Sequence, residues 1–139
     1  LGQQRGLPVQ VIDDLQEVGF GSWEGQTRQQ LLANRPDEYH AFYADPVNNR
    51  PEGAETLSGF SQRVVQVYQQ AVANYPGQHL LLVAHAGVIR ATLGYVIQAP
   101  ATQWYRSAVD NAAVSRFVHQ PSGNQLQWYN WLPQPACPK

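Results

Sequence analysis

Residues 80–90 read Leu-Leu-Leu-Val-Ala-His-Ala-Gly-Val-Ile-Arg. Five apolar residues run without interruption from Leu80 to Ala84, and Pro76-Gly77 marks a turn upstream. So short a run after a turn signal predicts a strand buried on both faces. Helical spacing begins at about Val88 and continues to Val96, before Pro100 breaks it. Only His85, Ala86 and Gly87 separate the two elements. His85 is therefore expected at the carboxyl end of a strand, the edge at which open α/β sheets bind ligands. The helix behind it offers unpaired backbone N–H groups and the positive end of its dipole, a setting that suits an anion such as phosphate. Ala86 and Gly87 let an anion approach the backbone, and His85 adds a donor or a charge. A lone histidine at a strand end is more often satisfied by backbone; the small residues and the helix after it turn the reading toward function.

Working outward, Leu1–Arg5 followed by Gly6 and Pro8 reads as the last turn of a helix. Val9–Ile12 reads as a short extended segment. Thr27 caps a helix running through Leu31 and Leu32 toward Arg35, where Pro36 interrupts it. Asp37 caps a second helix that carries Tyr39, Phe42 and Tyr43. Two prolines and two asparagines make residues 45–53 a loop. Thr56 or Ser58 starts a longer helix, whose Phe60, Val64, Val67, Tyr68 and Val72 fall near a 3.6-residue period. Thr102–Arg106 reads as a short helical turn. Ala113–His119 and Gln125–Trp131, joined by Pro121–Asn124, read as a β-hairpin. The order strand, helix, buried strand, helix, hairpin predicts an α/β sandwich.

The chain of 139 residues fits one domain. A net charge of −1 gives no field that would draw it to nucleic acid or to a membrane surface. No apolar run reaches membrane-spanning length, no signal-peptide pattern opens the chain, and a cytoplasmic location is expected. Eight of the nine basic residues are Arg, a bias compatible with recognition of phosphate or carboxylate. Cys137 is the single cysteine, which excludes an intrachain disulfide and a thiolate metal cluster. The chain contains no Met and begins at Leu1. Together with the helix end at Leu1–Arg5, this raises the expectation that sequence precedes it.

The second chemical feature is the run from Leu15 to Gly25, LQEVGFGSWEG. Its three glycines predict a shaped loop. Glu17 on that loop suits a general acid or base. Alone, a loop glutamate is more often a structural hydrogen-bond acceptor.

This run resembles the L-x-E-x-x-x-G-x-x-E-G stretch of the histidine phosphatase (phosphoglycerate mutase-like) superfamily. Val83–Ala91, VAHAGVIRA, resembles that family's second-histidine motif, V-x-H-G-G-x-x-R. Between them Arg50–Val64, RPEGAETLSGFSQRV, resembles its P-x-G-E-S/T segment and the following helix. The three stand in family order, and the short interval between Glu17 and His85 favours the phosphatase branch, most like the α-ribazole phosphatases and broad-specificity phosphatases. The resemblance implies a phosphoglycerate mutase-like fold: a three-layer sandwich with a mostly parallel central sheet flanked by helices, ending in a β-hairpin. It implies a single domain over residues 1–139 that lacks the first strand and helix.

It also implies a metal-independent phosphomonoester hydrolase that needs no cofactor, forms a phosphohistidine and acts on a small-molecule phosphate ester. Glu17 matches the proton donor and His85 the histidine that stabilises the transferring phosphoryl group. Ala86 supplies a backbone N–H to phosphate, and Glu55 and Thr56 shape the substrate mouth. Arg90 is expected to serve structure. The family's nucleophile lies in an Arg-His-Gly motif, which occurs nowhere in these residues. His40, His79 and His119 lack the motif's neighbours and are expected at the surface or at caps. The 139 residues alone are thus expected to be inactive. Two other readings compete: a non-catalytic phosphate-binding or regulatory relative, and a structural domain that keeps Glu17 and His85 as relics.

Overall fold

The computed structural model describes residues 2–132. Leu1 and Cys137 therefore lie outside the described residues. Four helices and a hairpin follow in chain order: α1 (Arg28–Asn34), α2 (Pro36–Ala44), α3 (Leu57–Asn74), α4 (Ala86–Ile97), β1 (Val114–Gln120) and β2 (Gly123–Trp131). Short 3-10 turns occupy Gln3–Arg5, Asp13–Leu15, Gly21–Trp23 and Ala101–Arg106. The first closes on Gly6, whose φ of 65° is the left-handed conformation that glycine adopts without strain.

Capping chemistry sets the helix starts. The Thr27 hydroxyl accepts from the Gln30 amide while the Gln30 side chain accepts from the Thr27 amide, a reciprocal capping box that begins α1. Thr56 begins α3 by accepting from the Gly59 amide at 3.2 Å. α2 differs from the expected start at Asp37. Pro36 opens that helix instead of interrupting the chain, because the first turn needs no donor from residue 36 and proline's fixed φ is already helical. Asp37 and Glu38 then lie in the first turn, favourable against the helix dipole.

Two apolar clusters form the core. Val18, Leu57, Phe60, Val64, Val88, Ala91 and Trp104 pack between α3 and α4. Trp23, Leu31, Tyr39 and Phe42 pack around α1 and α2. Phe20 and Tyr105 pack against both clusters and join them; the Phe42 and Tyr105 rings meet edge-on at 4.8 Å. Gly94 admits the Trp104 indole, since a Cβ on residue 94 would collide with its Nε1.

The expected parallel sheet does not form among the described residues. The sheet there is the antiparallel β1–β2 ladder, with Gln120 paired to Gly123 and register irregularities on either side of Arg116. Residues 80–84 make no ladder, and Leu81 and Val83 are 72% and 88% exposed rather than buried. Val9 and Val11 are likewise exposed in an unpaired extended segment. The reason is physical: a strand is stable only when a neighbour takes its N–H and C=O groups, and neither run has one here. What stands among the described residues is a mixed helix and strand fold with a C-terminal antiparallel hairpin.

The close fit of Gly94 under Trp104 makes a prediction. Gly94→Ala should destabilise the protein by about 1–3 kcal/mol, the usual cost of overpacking a filled core. Urea unfolding checks this, and an unchanged midpoint would mean that the contact is loose.

Candidate active site

The acid loop begins at the turn Asp13–Leu15 and leads through extended Gln16 to Glu17. Val18, 3% exposed, anchors the loop in the α3–α4 core. The Glu17 carboxylate turns back onto the start of α4. Its Oε1 accepts from the Val18 amide at 2.9 Å and from the Gly87 amide at 3.0 Å, and its Oε2 lies 3.1 Å from the same Gly87 nitrogen. Gly87 is buried, and a Cβ there would land on Glu17 Oε1, so the contact requires glycine. A carboxyl side chain thus takes up an amide at the helix end where an anion was expected.

His85 is the N-cap residue of α4, with extended backbone angles. Its carbonyl accepts from the Ile89 amide at 3.1 Å, while its side chain makes no capping bond and stands exposed. Glu17 does the capping instead, which leaves the imidazole to face solvent. Ala86 is the first residue of α4, where its N–H has no intrahelical carbonyl to bond. The structure therefore gathers Glu17, His85 and Ala86 at one helix end.

Glu55 and Thr56 are placed differently. Thr56 spends its hydroxyl on capping α3. Glu55 forms a two-pronged ion pair with Arg63, Nε to Oε1 at 2.8 Å and Nη2 to Oε2 at 2.9 Å. The Gly19 amide adds a bond to Oε2 at 3.2 Å. Arg63 in turn donates to the carbonyls of Asp14, Gln16 and Glu17, at 2.6, 2.9 and 3.3 Å. Glu55 thus reaches the acid loop through Arg63.

Arg50 fastens the other side of that loop. It donates to the Glu55 carbonyl at 3.0 Å and the Gly19 carbonyl at 2.9 Å, with its guanidinium over the Phe20 and Phe42 rings. Arg90 donates to the Ser107 carbonyl at 3.2 Å and lies over the Tyr105 ring. Arg63 and Arg50 were not singled out by sequence reasoning. Both lie in the Arg50–Val64 stretch, which with the surplus of arginine was the signal available for them. His40, His79 and His119 are exposed. Trp23, Tyr39, Phe42 and Trp104 are core residues, while Tyr43 is 49% exposed.

A cleft of about 510 Å³ runs along α3 and the far end of α4, lined by Thr56, Leu57, Ser61, Gly94 and Trp104 among others. A second, of about 240 Å³, lies between Phe20, Trp23, Glu24, Arg28, Tyr39 and Tyr43. Neither includes Glu17 or His85. Among the described residues, no three His, Cys, Asp or Glu side chains converge as a metal site would require.

Hydrogen bonds from Arg63, helped by the Gly19 amide, hold the Glu55 carboxyl below its ordinary value of 4.5 against the opposing effect of burial. A group depressed in the folded state stabilises above its unfolded value, and that stability is lost as pH falls through the folded value. The melting temperatures of the native protein and Glu55→Gln should therefore differ most above about pH 4.5 and converge below it. Melting curves from pH 7 to pH 3 test this; a constant offset would contradict it.

A profile of the histidine phosphatase superfamily (branch 1) matches residues 1–132. The chain is similar to the adenosylcobalamin/alpha-ribazole phosphatase of Escherichia coli (strain K12), with 32% identity over 111 residues that cover 80% of this chain and 55% of that protein. It is similar to the glucosyl-3-phosphoglycerate phosphatase of Mycobacterium tuberculosis (strain ATCC 25618 / H37Rv), with 30% identity over 141 residues covering 94% and 63%. Among solved structures, mycobacterial glucosyl-3-phosphoglycerate phosphatase in complex with VO3 superposes with a TM-score of 0.82 at 25% identity, covering 94% of this chain and 68% of that one. The chain spans about half the length of the alpha-ribazole phosphatases it matches, 55% in each case.

Proposed function

The chain belongs to the histidine phosphatase superfamily (branch 1), and on that premise we propose that it carries the proton-donor and second-histidine part of a phosphomonoester hydrolase working through a phosphohistidine. One observation carries this reading: the Glu17 carboxylate bonds the amide of Gly87, two residues beyond His85. The Glu17 carboxyl group and His85 thus stand at the N-terminus of α4, a setting that suits a phosphate.

In the proposed reaction the nucleophile is a histidine of an Arg-His-Gly strand end outside these 139 residues. Its neutral nitrogen bonds to phosphorus as the ester P–O bond breaks, and Glu17 gives its proton to the departing alkoxide. Water then attacks the phosphohistidine, passing a proton to Glu17 and releasing phosphate and histidine. His85 and the Ala86 amide stabilise the equatorial oxygens, where charge collects during transfer. Glu55 and Thr56 shape the mouth from behind, by holding the acid loop and starting α3. No resident metal or cofactor enters this scheme.

The names of the similar proteins denote phosphatases, which supports a small-molecule phosphate ester as substrate. The apolar runs at Val9–Ile12 and Leu80–Ala84 belong, in this reading, to a mostly parallel sheet completed by a strand from outside the chain. Their exposure in the present fold supports that. A cytoplasmic location belongs to the same proposal; among the described residues no helix is long and apolar enough to cross a membrane.

The exposed His85 at the start of α4 also suits one second reading, a phosphate-binding relative without turnover. Assay of the complete protein separates the two. Phosphate should be released from p-nitrophenyl phosphate, and His85→Ala should lower kcat/KM about 10²-fold or more. A complete protein that binds phosphate but releases none from any ester would leave the binding reading standing.

A further inference from the structure

We propose that Arg63 is a positioning residue for Glu17, and that Glu55 orients Arg63 for this task. The inference rests on Glu17 being the proton donor. A guanidinium has five N–H donors in a rigid plane. In Arg63 all five are used. Nε and one Nη2 hydrogen take the two oxygens of Glu55, at 2.8 and 2.9 Å. The other Nη2 hydrogen goes to the Glu17 carbonyl at 3.3 Å. Both Nη1 hydrogens go to the loop, to Asp14 at 2.6 Å and Gln16 at 2.9 Å. One side chain thus binds three of the four peptide carbonyls from Asp14 to Glu17, across 46 to 49 residues of chain. Elsewhere the loop is held by Leu15 and Val18 in the core, by Arg50 and Glu55 on Gly19, and by the Glu17–Gly87 bonds.

The division of labour follows. The α4 amide holds the reacting end of Glu17, and Arg63 on α3 holds its backbone. Glu55 matters because it fixes the roll of the guanidinium. With one edge locked on the carboxylate, the other must face the loop. Arg63 also lies 4.6 Å over the Phe60 ring, and Phe60 is fully buried. Its plane is therefore pressed from below as well as bonded at its edges. Lysine, with one ammonium in place of a fork, can satisfy only part of this set. Displacement of a general acid by as little as an ångström is costly, because proton transfer needs hydrogen-bond reach in the transition state.

Leaving-group dependence distinguishes positioning from mere stability. Expulsion of p-nitrophenolate needs little protonation, whereas an alkoxide needs a proton. The quantity to read is kcat/KM of the complete protein, which reports through the phosphorylation step, for p-nitrophenyl phosphate and for a simple alkyl phosphate. Glu17→Gln should lower the alkyl value at least about tenfold more than the aryl value. Arg63→Ala should show the same bias, with Arg63→Lys restoring part of it and Glu55→Gln showing a weaker form. If Arg63→Ala yields no folded protein by circular dichroism, Arg63→Lys and Glu55→Gln decide by the same criterion. Equal loss on both substrates in the Arg63 and Glu55 variants, with a biased Glu17→Gln, overturns the positioning role alone. An unbiased Glu17→Gln overturns Glu17 as donor, and the role of Arg63 with it.

Discussion

The bond between the Glu17 carboxylate and the Gly87 amide joins positions 70 residues apart, and much else in the structure is arranged around it. A buried helix end needs acceptors for its unpaired N–H groups. Here the acceptor is an ionisable side chain from a distant loop. That choice has two structural costs. Residue 87 must be glycine, since any Cβ would collide with the carboxylate. The acid loop must also be held at a fixed distance from α4, because a hydrogen bond near 3.0 Å tolerates little slack. Meeting the first frees His85 from capping its own helix, and its side chain is left exposed.

The second requirement is met by arginine. Arg63 bonds the carbonyls of Asp14, Gln16 and Glu17, and Arg50 those of Gly19 and Glu55. Carbonyl oxygens in an irregular loop have no ladder to bond, and a guanidinium gathers several at once. Glu55 takes part in both systems: its carbonyl accepts from Arg50 and its carboxylate from Arg63. The pair is only partly buried, with 22% and 28% of the two side chains exposed, so geometry rather than raw ion-pair strength is its main contribution. Phe20 lies under Arg50 and packs against both apolar clusters. The polar framework of the loop and the apolar framework of the core are thus continuous.

Much of this was legible in the sequence where the signal was local. Thr27 caps the helix it was expected to start, Thr56 rather than Ser58 caps α3, and the hairpin forms over the two expected runs. The apolar period of α3 gives its buried face, with Phe60, Val64 and Val67 inside. The Leu80–Ala84 run shows the limit of local reading. Its composition asks for burial on two faces, but burial is a property of neighbours, and none lies beside it here. Pro36 was misread for a related reason: proline breaks a helix interior yet suits a first turn, and the sequence around it fits either. Glu17 and His85 stood out through motifs with a physical rationale. Arg63 did not, because its four partner residues lie 8 to 49 residues away and converge only in the folded chain.

The central claim is that Glu17, His85 and the first amides of α4 face a single phosphoryl group. Vanadate, which takes the geometry of phosphorus during transfer, tests it most directly. A crystal structure of the complete protein with vanadate should place the ion at the start of α4, with the His85 ring and the Ala86 amide on its oxygens and the Glu17 carboxyl on the side of the departing group. Vanadate bound in another cleft, with Glu17 and His85 both out of contact, would contradict the account.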